Sequence, residues 1–139
     1  MVDVSMNTKV PAAVQQVWKT IGEFGALSEW HPAVASCQSE ADGKRRRLRL
    51  VDGSELLEEL VEQDDSSCSY TYTMVQAGPL PVENYRSTIH VADSGDGQSQ
   101  VTWSGSFDPA GEDATAARET LERVYQTGLD NLKKMFGQG

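Results

Sequence analysis

The feature that most constrains this 139-residue chain is a series of turn signals at nearly even spacing across its middle. Asp42-Gly43 and Asp52-Gly53 are typical two-residue hairpin sequences. Further breaks, rich in Gly, Pro, Asp and Ser, follow at 64–67, 78–81 and 94–97. We predict strands in the runs between these breaks, over 34–40, 44–51, 54–63, 68–77, 83–93 and 98–107. Because the connections are short, the strands are expected to form an antiparallel meander and not parallel βαβ units.

The segment before this region changes its pattern twice. Residues 2–9 alternate apolar and polar side chains, which predicts a first strand. Pro11 suits the first turn of a helix, and apolar residues follow at helical spacing from Val14 to Ile21. A short second helix is predicted over Ala26 to Glu29, and Pro32 ends it.

The C-terminal segment has a helical period, which predicts one long helix over 112–137. Its apolar stripe comprises Ala114, Ala117, Leu121, Val124, Gly128, Leu129, Leu132 and Phe136. About 24 residues at 1.5 Å per residue give roughly 36 Å, enough to cross a small sheet. The element order therefore predicts an α+β fold: a single domain, 1–139, in which a curved seven-stranded antiparallel sheet grips a long helix. Such a helix does not fill the concave face completely, so a cavity for a small ligand is expected between them.

Composition excludes several classes of protein. The chain has 12 Lys and Arg against 21 Asp and Glu, and a net charge of −9 argues against nucleic acid as a partner. No apolar run approaches the roughly 20 residues that a membrane helix needs, and no signal peptide is visible. Cys37 and Cys68 are too far apart for a metal motif, so free thiols, a cytoplasmic location and no metal or cofactor are expected. A monomer or a weak homodimer is predicted.

Several short motifs follow one another along almost the whole chain. They are Val10-Pro11-Ala12 to Val17-Trp18, Trp30-His31-Pro32, Gly53 to Glu58 with Leu60 and Asp64, Tyr70-Thr71-Tyr72, Pro79-Leu80-Pro81 with Asn84-Tyr85, and Val101 to Phe107. Their order and spacing resemble the START-like, or SRPBCC, superfamily with its helix-grip fold, and more closely its polyketide cyclase/dehydrase-like branch. The resemblance implies a cavity that binds lipids, polyketides, sterols or other hydrophobic molecules, and it identifies the fold better than an activity.

Strand parity predicts which side chains face the cavity, because successive side chains point to opposite faces of a sheet. Placing the apolar set of each strand inward directs a group of aromatic residues at the cavity: Tyr70, Tyr72, Tyr85, Trp103 and Phe107. With Trp30, which is expected at the cavity mouth, and with Leu121 and Gly128 of the long helix, they form the predicted ligand-binding set. Core packing alone would account equally well for aromatic residues at these positions.

The basic run over residues 44–49 is interpreted in the same way. Leu48 and Leu50 are expected inward, which directs Arg45, Arg47 and Arg49 outward. The next strand is rich in Glu, and we expect Arg47 or Arg49 to pair across the strands with Glu59 or Glu55. Opposite charges on neighbouring strands stabilise the outer face of a sheet modestly.

The strand over 54–63 leaves two registers open, because both Glu58 and Glu59 stand among aliphatic residues. The resemblance favours Glu58 inward. Burial would raise the pKa of such a carboxyl unless a donor such as Tyr72 or Tyr85 reaches it. Glu58 is therefore the first candidate for an acid or base, and otherwise a residue that orients a ligand. His31, also at the predicted mouth, is the second candidate, with a capping or surface role as its alternative.

Two classes of function remain open. One is a module that binds or carries a hydrophobic small molecule, which the single predicted cavity acid favours. The other is a cyclase or dehydratase in which Glu58 or His31 moves a proton and a tyrosine hydroxyl polarises a carbonyl. A third, weaker possibility is protein–protein interaction through the outer face of the sheet.

Overall fold

The computed structural model of the protein describes residues 1–137. The strands are β1 (Val2–Val10), β2 (Val34–Glu40), β3 (Arg45–Leu50), β4 (Glu55–Asp64), β5 (Ser69–Gln76), β6 (Val82–Gly95) and β7 (Gln98–Pro109). The helices are α1 (Val14–Ile21), a 3₁₀ helix (Phe24–Glu29), a short 3₁₀ turn (Ala41–Gly43) and α2 (Ala114–Gly137). The predicted order of strand, two short helices, six strands and one long helix is confirmed.

A single antiparallel sheet contains all seven strands, in the order β1-β7-β6-β5-β4-β3-β2. The meander runs from β2 to β7, and β1 then pairs with β7 from Val2 opposite Phe107 to Val10 opposite Ser99. α2 packs against β1 and β7. One face of the sheet is therefore covered at this end by the long helix.

α2 begins two residues after the predicted position because Asp113 caps it. The carboxylate of Asp113 accepts a hydrogen bond of 2.7 Å from the backbone N–H of Ala116, which otherwise has no partner in the first turn. The buried stripe of the helix consists of Ala117, Leu121, Tyr125, Gly128, Leu129 and Leu132. The predicted burial of Leu121, Leu129 and Leu132 is confirmed.

The outer face of β3 and β4 carries the predicted ion pairs. Arg49 reaches Glu55 at 3.2 Å and Arg47 reaches the same carboxylate at 3.7 Å. Glu59 pairs instead with Arg45, which stands directly opposite it in the register, at 2.9 Å. These basic residues are neutralised by neighbours on the sheet.

Two properties of the chain concern membranes and metals. Within residues 1–137, no helix is both long and apolar enough to cross a membrane. In the same range, His, Cys, Asp and Glu side chains form no group of three or more that could hold a metal ion. Cys37 and Cys68 are free thiols.

Candidate ligand-binding site

A cavity of about 70 Å³ lies between the sheet, the 3₁₀ helix and α2. Its apolar wall is formed by aliphatic residues of the 3₁₀ helix, the sheet and α2: Leu27, Val34, Leu48, Leu56 and Leu121. Its polar wall is formed by His31, Glu58, Tyr72, Tyr85, Trp103 and Tyr125. The ligand cavities of proteins usually measure roughly 300–1,000 Å³, so this one is small.

The half-buried residues of the cavity lining are all apolar, and we call them the rim. They come from the loop after the 3₁₀ helix, from β3, from β5, from the β5–β6 loop and from α2: Ala33, Leu50, Met74, Leu80 and Val124. Each belongs to a different segment of the chain. A molecule that enters must therefore pass between apolar side chains, which disfavours strongly hydrated molecules.

Glu58 lines the cavity and forms a buried ion pair with Arg46, which lies outside the lining; we call this pair the cavity floor. These residues stand opposite each other on β3 and β4, and Arg46 Nε donates to Glu58 Oε1 at 2.7 Å. Parity places Arg46 on the inward side with Leu48, but a charged side chain is not expected there, and sequence reasoning missed it. The structure thus resolves the open register: Glu58 is inward and Glu59 is outward.

The guanidinium of Arg46 is enclosed by aromatic rings and backbone. Its Cζ atom lies 4.1 Å from the centre of the Phe24 ring and 4.8 Å from that of Tyr72, distances at which a cation is attracted to a ring face. Nη1 donates to the carbonyl oxygen of Phe24 at 2.9 Å and to the hydroxyl of Tyr70 at 3.3 Å. Nη2 has no hydrogen-bond partner among the described residues. Arg46 therefore connects the cavity floor to the 3₁₀ helix.

The 2.7 Å contact between the Arg46 guanidinium and the Glu58 carboxylate favours the ionised form of both groups. Burial raises the pKa of Glu58 above its ordinary value, and the positive charge of Arg46 opposes that rise. Burial would lower the pKa of Arg46, but the carboxylate of Glu58 raises it above its ordinary value. Protonation of Glu58 would leave a buried guanidinium without a counter-charge, which is strongly unfavourable.

One oxygen of Glu58 is available to a ligand. Oε1 accepts the hydrogen bond from Arg46, whereas Oε2 has no hydrogen-bond partner in the part of the chain that the structure describes. Glu58 is also part of the cavity wall. The carboxylate is therefore held in place by one oxygen and can accept a hydrogen bond from a bound molecule with the other.

Hydroxyl groups of Ser87, Tyr125 and Tyr85 form a directed chain beside the cavity. Ser87 donates its proton to the carbonyl oxygen of Ser104 at 2.9 Å. Its oxygen, 2.9 Å from the Tyr125 hydroxyl, must then accept from Tyr125. The Tyr125 oxygen in turn accepts from Tyr85, with which it is in hydrogen-bond contact. The direction of the chain follows because each hydroxyl has one proton to donate.

The hydroxyl proton of Tyr72 makes the weakest hydrogen bond of these hydroxyl groups. The indole N–H of Trp103 donates to its oxygen at 3.1 Å, so that interaction does not use the tyrosine proton. The remaining contact, with the hydroxyl of Tyr85, is 3.5 Å long and is weak. Burial raises the pKa values of Tyr72 and Tyr85 well above their ordinary value, so both stay protonated donors.

Sequence reasoning did not select Tyr125. Its ring stacks on Trp103 with centres 4.5 Å apart and planes 11° apart. Gly105 makes room for it, because a Cβ atom there would lie 2.6 Å from the Tyr125 hydroxyl oxygen. The signal was present: Tyr125 is four residues from both Leu121 and Leu129 on the buried stripe of α2.

His31 lines the cavity, but both of its ring nitrogens bind backbone. Nδ1 accepts from the N–H of Ala33 at 3.2 Å, which places the ring proton on Nε2, and Nε2 donates to the carbonyl oxygen of Val124 at 2.7 Å. Burial lowers the pKa of His31 below its ordinary value. The neutral imidazole thus fastens the loop after the 3₁₀ helix to α2 and presents no free nitrogen to the cavity.

The predicted ligand-binding residues divide into two groups. Tyr72, Tyr85, Trp103 and Leu121 line the cavity with Glu58 and His31. The others are buried outside the lining: Trp30, Tyr70, Phe107 and Gly128. Trp30 was expected at the mouth but is buried against Trp103, with ring centres 5.4 Å apart. The position is possible because Gly128 has no side chain; a Cβ atom there would lie 3.0 Å from the Trp30 ring and 2.6 Å from that of His31.

The sheet, the short helices after β1 and the long α2 define a START-like helix-grip fold. The sequence profile of the family described as "Polyketide cyclase / dehydrase and lipid transport" matches residues 1–137. The chain therefore belongs to that family, and the resemblance found in its sequence is confirmed. No functionally curated protein matches it.

Solved structures similar to this one include two from Bacillus. The protein XoxI from Bacillus cereus is 32% identical, with a TM-score of 0.96 over 99% of this chain and 97% of that chain. An uncharacterized protein from Bacillus thuringiensis is 32% identical, with a TM-score of 0.95 over 99% of this chain and 100% of that chain. The Zhui aromatase/cyclase from Streptomyces sp. R1128 is 15% identical, with a TM-score of 0.81 over 98% and 93%, a similarity of fold alone.

Proposed function

We propose that this protein binds a small hydrophobic molecule in the cavity between the sheet and α2, with the polar group of that molecule at Glu58 and Tyr72. The observation that carries the proposal is a pair of available hydrogen-bonding atoms on the wall of one apolar cavity: the unpartnered Glu58 Oε2 and the Tyr72 proton, whose contact with Tyr85 is weak. A few convergent polar groups in an apolar cavity are typical of ligand sites.

The size of the cavity limits the ligand or requires the rim to move. A cavity of about 150 Å³ holds benzene, and the cavity here measures about 70 Å³. A molecule of one ring or larger would therefore displace some of the half-buried rim side chains. The rim residues come from five separate segments. Leu80 lies in a loop and Met74 has a flexible side chain, so both can move to admit a larger molecule.

A binding screen with a filled cavity tests this proposal. Leu56→Phe adds volume to the apolar wall, and Val61→Phe makes the same kind of change at an exposed position of the same strand. Ligand-observed NMR with a set of small hydrophobic molecules should give hits that bind the unmodified protein and Val61→Phe but not Leu56→Phe. Hits that bind all three equally would show that the cavity is not the site.

A second candidate function, a cyclase or dehydratase acting on a carbonyl compound, is favoured by one observation. The carboxylate of Glu58, which is paired with Arg46, and the protonated hydroxyl of Tyr72 line the same cavity. Glu58 would remove a proton next to a carbonyl group whose oxygen accepts from Tyr72. We assign His31 a positioning role because its nitrogens are occupied. Product formation that Glu58→Gln abolishes, while ligand affinity is kept, would establish the enzyme.

The free thiols of Cys37 and Cys68 support a cytoplasmic location, because unpaired cysteines are typical of reducing compartments. The absence of a broad unpaired basic surface around β3 supports the proposal that nucleic acid is not a partner.

A further inference from the structure

The charges around the cavity restrict its ligand further, an inference that rests on the proposed function. The ionised side chains of the cavity floor are Arg46 and Glu58, joined at 2.7 Å, and they sum to zero. The other titratable groups of the lining are His31 and three tyrosines, and each of these is neutral at pH 7. The remaining residues of the wall and the rim are apolar.

An ionised ligand would leave a net charge buried in the site, because Arg46 and Glu58 already neutralise each other. A carboxylate would face the negative Glu58 oxygen, and the one unpartnered nitrogen of Arg46, Nη2, is buried outside the cavity lining. An ammonium could donate to Glu58, but it would compete with Arg46 for one carboxylate in a site of low polarity. Burying an unpaired charge is far more costly than burying a hydrogen-bonded neutral group.

The hydrogen-bonding atoms define the polar group of the ligand as well. Glu58 Oε2 can only accept, because the carboxylate is ionised. Tyr72 has a proton to donate, because its oxygen already accepts from Trp103. A neutral hydroxyl group satisfies both at once, since its proton goes to Glu58 and its oxygen accepts from Tyr72. A ketone satisfies Tyr72 alone.

We infer that the cavity selects small uncharged molecules that carry a hydroxyl group, over ionised amines or acids of the same size. The selection arises from the internal neutralisation of Glu58 by Arg46 and from the fixed direction of the hydroxyl chain. It depends on these charged and hydroxyl side chains and is separate from the overall hydrophobicity of the wall.

Four-carbon probes that differ in one polar group test this inference at pH 7: 1-butanol, butan-2-one, butylammonium and butyrate. The indole N–H signal of Trp103 reports on the cavity in an NMR titration, because it donates to Tyr72 and Ser87. The indole of Trp18, which donates to Asp65 at 3.2 Å, is the internal control. We expect 1-butanol to bind best, butan-2-one next, and both ions at least about tenfold more weakly than 1-butanol, which corresponds to about 1.4 kcal/mol.

Variants that remove one charge of the floor should change which probe binds best. Glu58→Gln leaves the positive charge of Arg46 in the floor, so butyrate should become the preferred probe. Arg46→Gln leaves Glu58, so butylammonium should be preferred. Glu59→Gln, the same change on the outer face of the same strand, should keep the order of the unmodified protein. If the single variants do not fold, the relative affinities of the four probes for the unmodified protein are sufficient to test the inference.

The outcomes separate this inference from the function on which it depends. An ion that binds the unmodified protein as tightly as 1-butanol, with the Trp103 signal shifting, overturns the selection and leaves a binding protein. A folded Glu58→Gln protein that still prefers 1-butanol over butyrate overturns it as well. If no probe shifts the Trp103 signal at any concentration, the proposed function fails and this inference fails with it.

Discussion

The two ion pairs that link β3 to β4 differ mainly in the face of the sheet on which they lie. Arg45 and Glu59 are 2.9 Å apart with side chains 39% and 43% exposed. Arg46 and Glu58, the next residues in the register, are 2.7 Å apart with side chains 0% and 5% exposed. The outer pair stays hydrated, whereas the inner pair has lost its water.

The inner pair is poorly explained by stability alone. Desolvation of two ions offsets most of their attraction, and apolar residues of similar volume often stabilise a core as well or better. The outer pair contributes little either way. We therefore attribute the retention of this buried pair, which leaves one carboxylate oxygen of Glu58 without a partner, to the proposed ligand site.

Removal of one inner charge should have the largest effect. Glu58→Gln leaves Arg46 buried without its counter-charge, and we expect a loss of about 3–5 kcal/mol in the free energy of unfolding. Urea denaturation followed by circular dichroism measures it. The double variant Arg46→Met with Glu58→Leu should recover most of the loss, because neither charge remains. A single variant within about 0.5 kcal/mol of the unmodified protein would show that the pair is not desolvated.

Buried hydroxyl contacts on the inner face should also contribute more to stability than half-buried contacts on the outer face. Tyr125→Phe removes the acceptor of Tyr85 and a donor to Ser87, and it leaves a buried hydroxyl unpaired. We expect a loss of about 1–3 kcal/mol in the free energy of unfolding. The matched control is Thr88→Val, which removes one half of the 2.8 Å hydroxyl pair with Thr71 at half-buried positions. Equal losses in thermal or urea unfolding for the two variants would show that burial does not make the inner hydroxyl contacts more important than the outer one.

The buried His31 and the exposed His90 should contribute differently to the pH dependence of stability. Burial lowers the pKa of His31, so the unfolded chain binds its proton at a higher pH than the folded chain does. Stability should therefore fall as the pH drops from about 6.5 toward the lowered pKa, with a slope of at most about 1.4 kcal/mol per pH unit. His31→Gln should remove this dependence, and His90→Gln on the exposed face should keep it. Urea midpoints between about pH 7 and 5 measure it; a dependence unchanged in His31→Gln would assign it to other groups.

Removal of an outer charge should have the smallest effect. Glu59→Gln breaks the pair with Arg45, both partners of which are hydrated. We expect a loss of about 0.2–1 kcal/mol that shrinks further in high salt. Denaturation at low and high ionic strength measures it. A loss as large as that of Glu58→Gln would remove the distinction between the two faces.

Alternation explains why so much of the inner face could be predicted. Tyr72, Tyr85 and Trp103 share the apolar side of their strands, and side chains on one face of a strand recur every second residue. The same rule directs Arg46 inward, but Leu48 and Leu50 dominated the interpretation of that strand, and no sequence rule identifies the partner that makes a buried arginine acceptable. Glu58 and Glu59 both stand beside leucines, so alternation could not choose between them.

Three-dimensional contacts account for the rest. Tyr125 was overlooked because its hydroxyl marks it as polar, although its ring continues the stripe of α2. Trp30 is buried because Gly128, distant in sequence, makes room for it. The neutral state of His31 depends on Val124 and Ala33, and the small volume of the cavity depends on how closely all of these rings pack.

The most direct test of a ligand at Glu58 is native mass spectrometry of the protein purified from its own host. We expect an additional bound mass on the unmodified protein and on Glu59→Gln. We also expect this mass to be absent from Leu56→Phe, in which the cavity is filled. A bound mass that persists in Leu56→Phe, or unmodified protein that never carries one from its own host, would contradict the claim that this cavity holds the ligand.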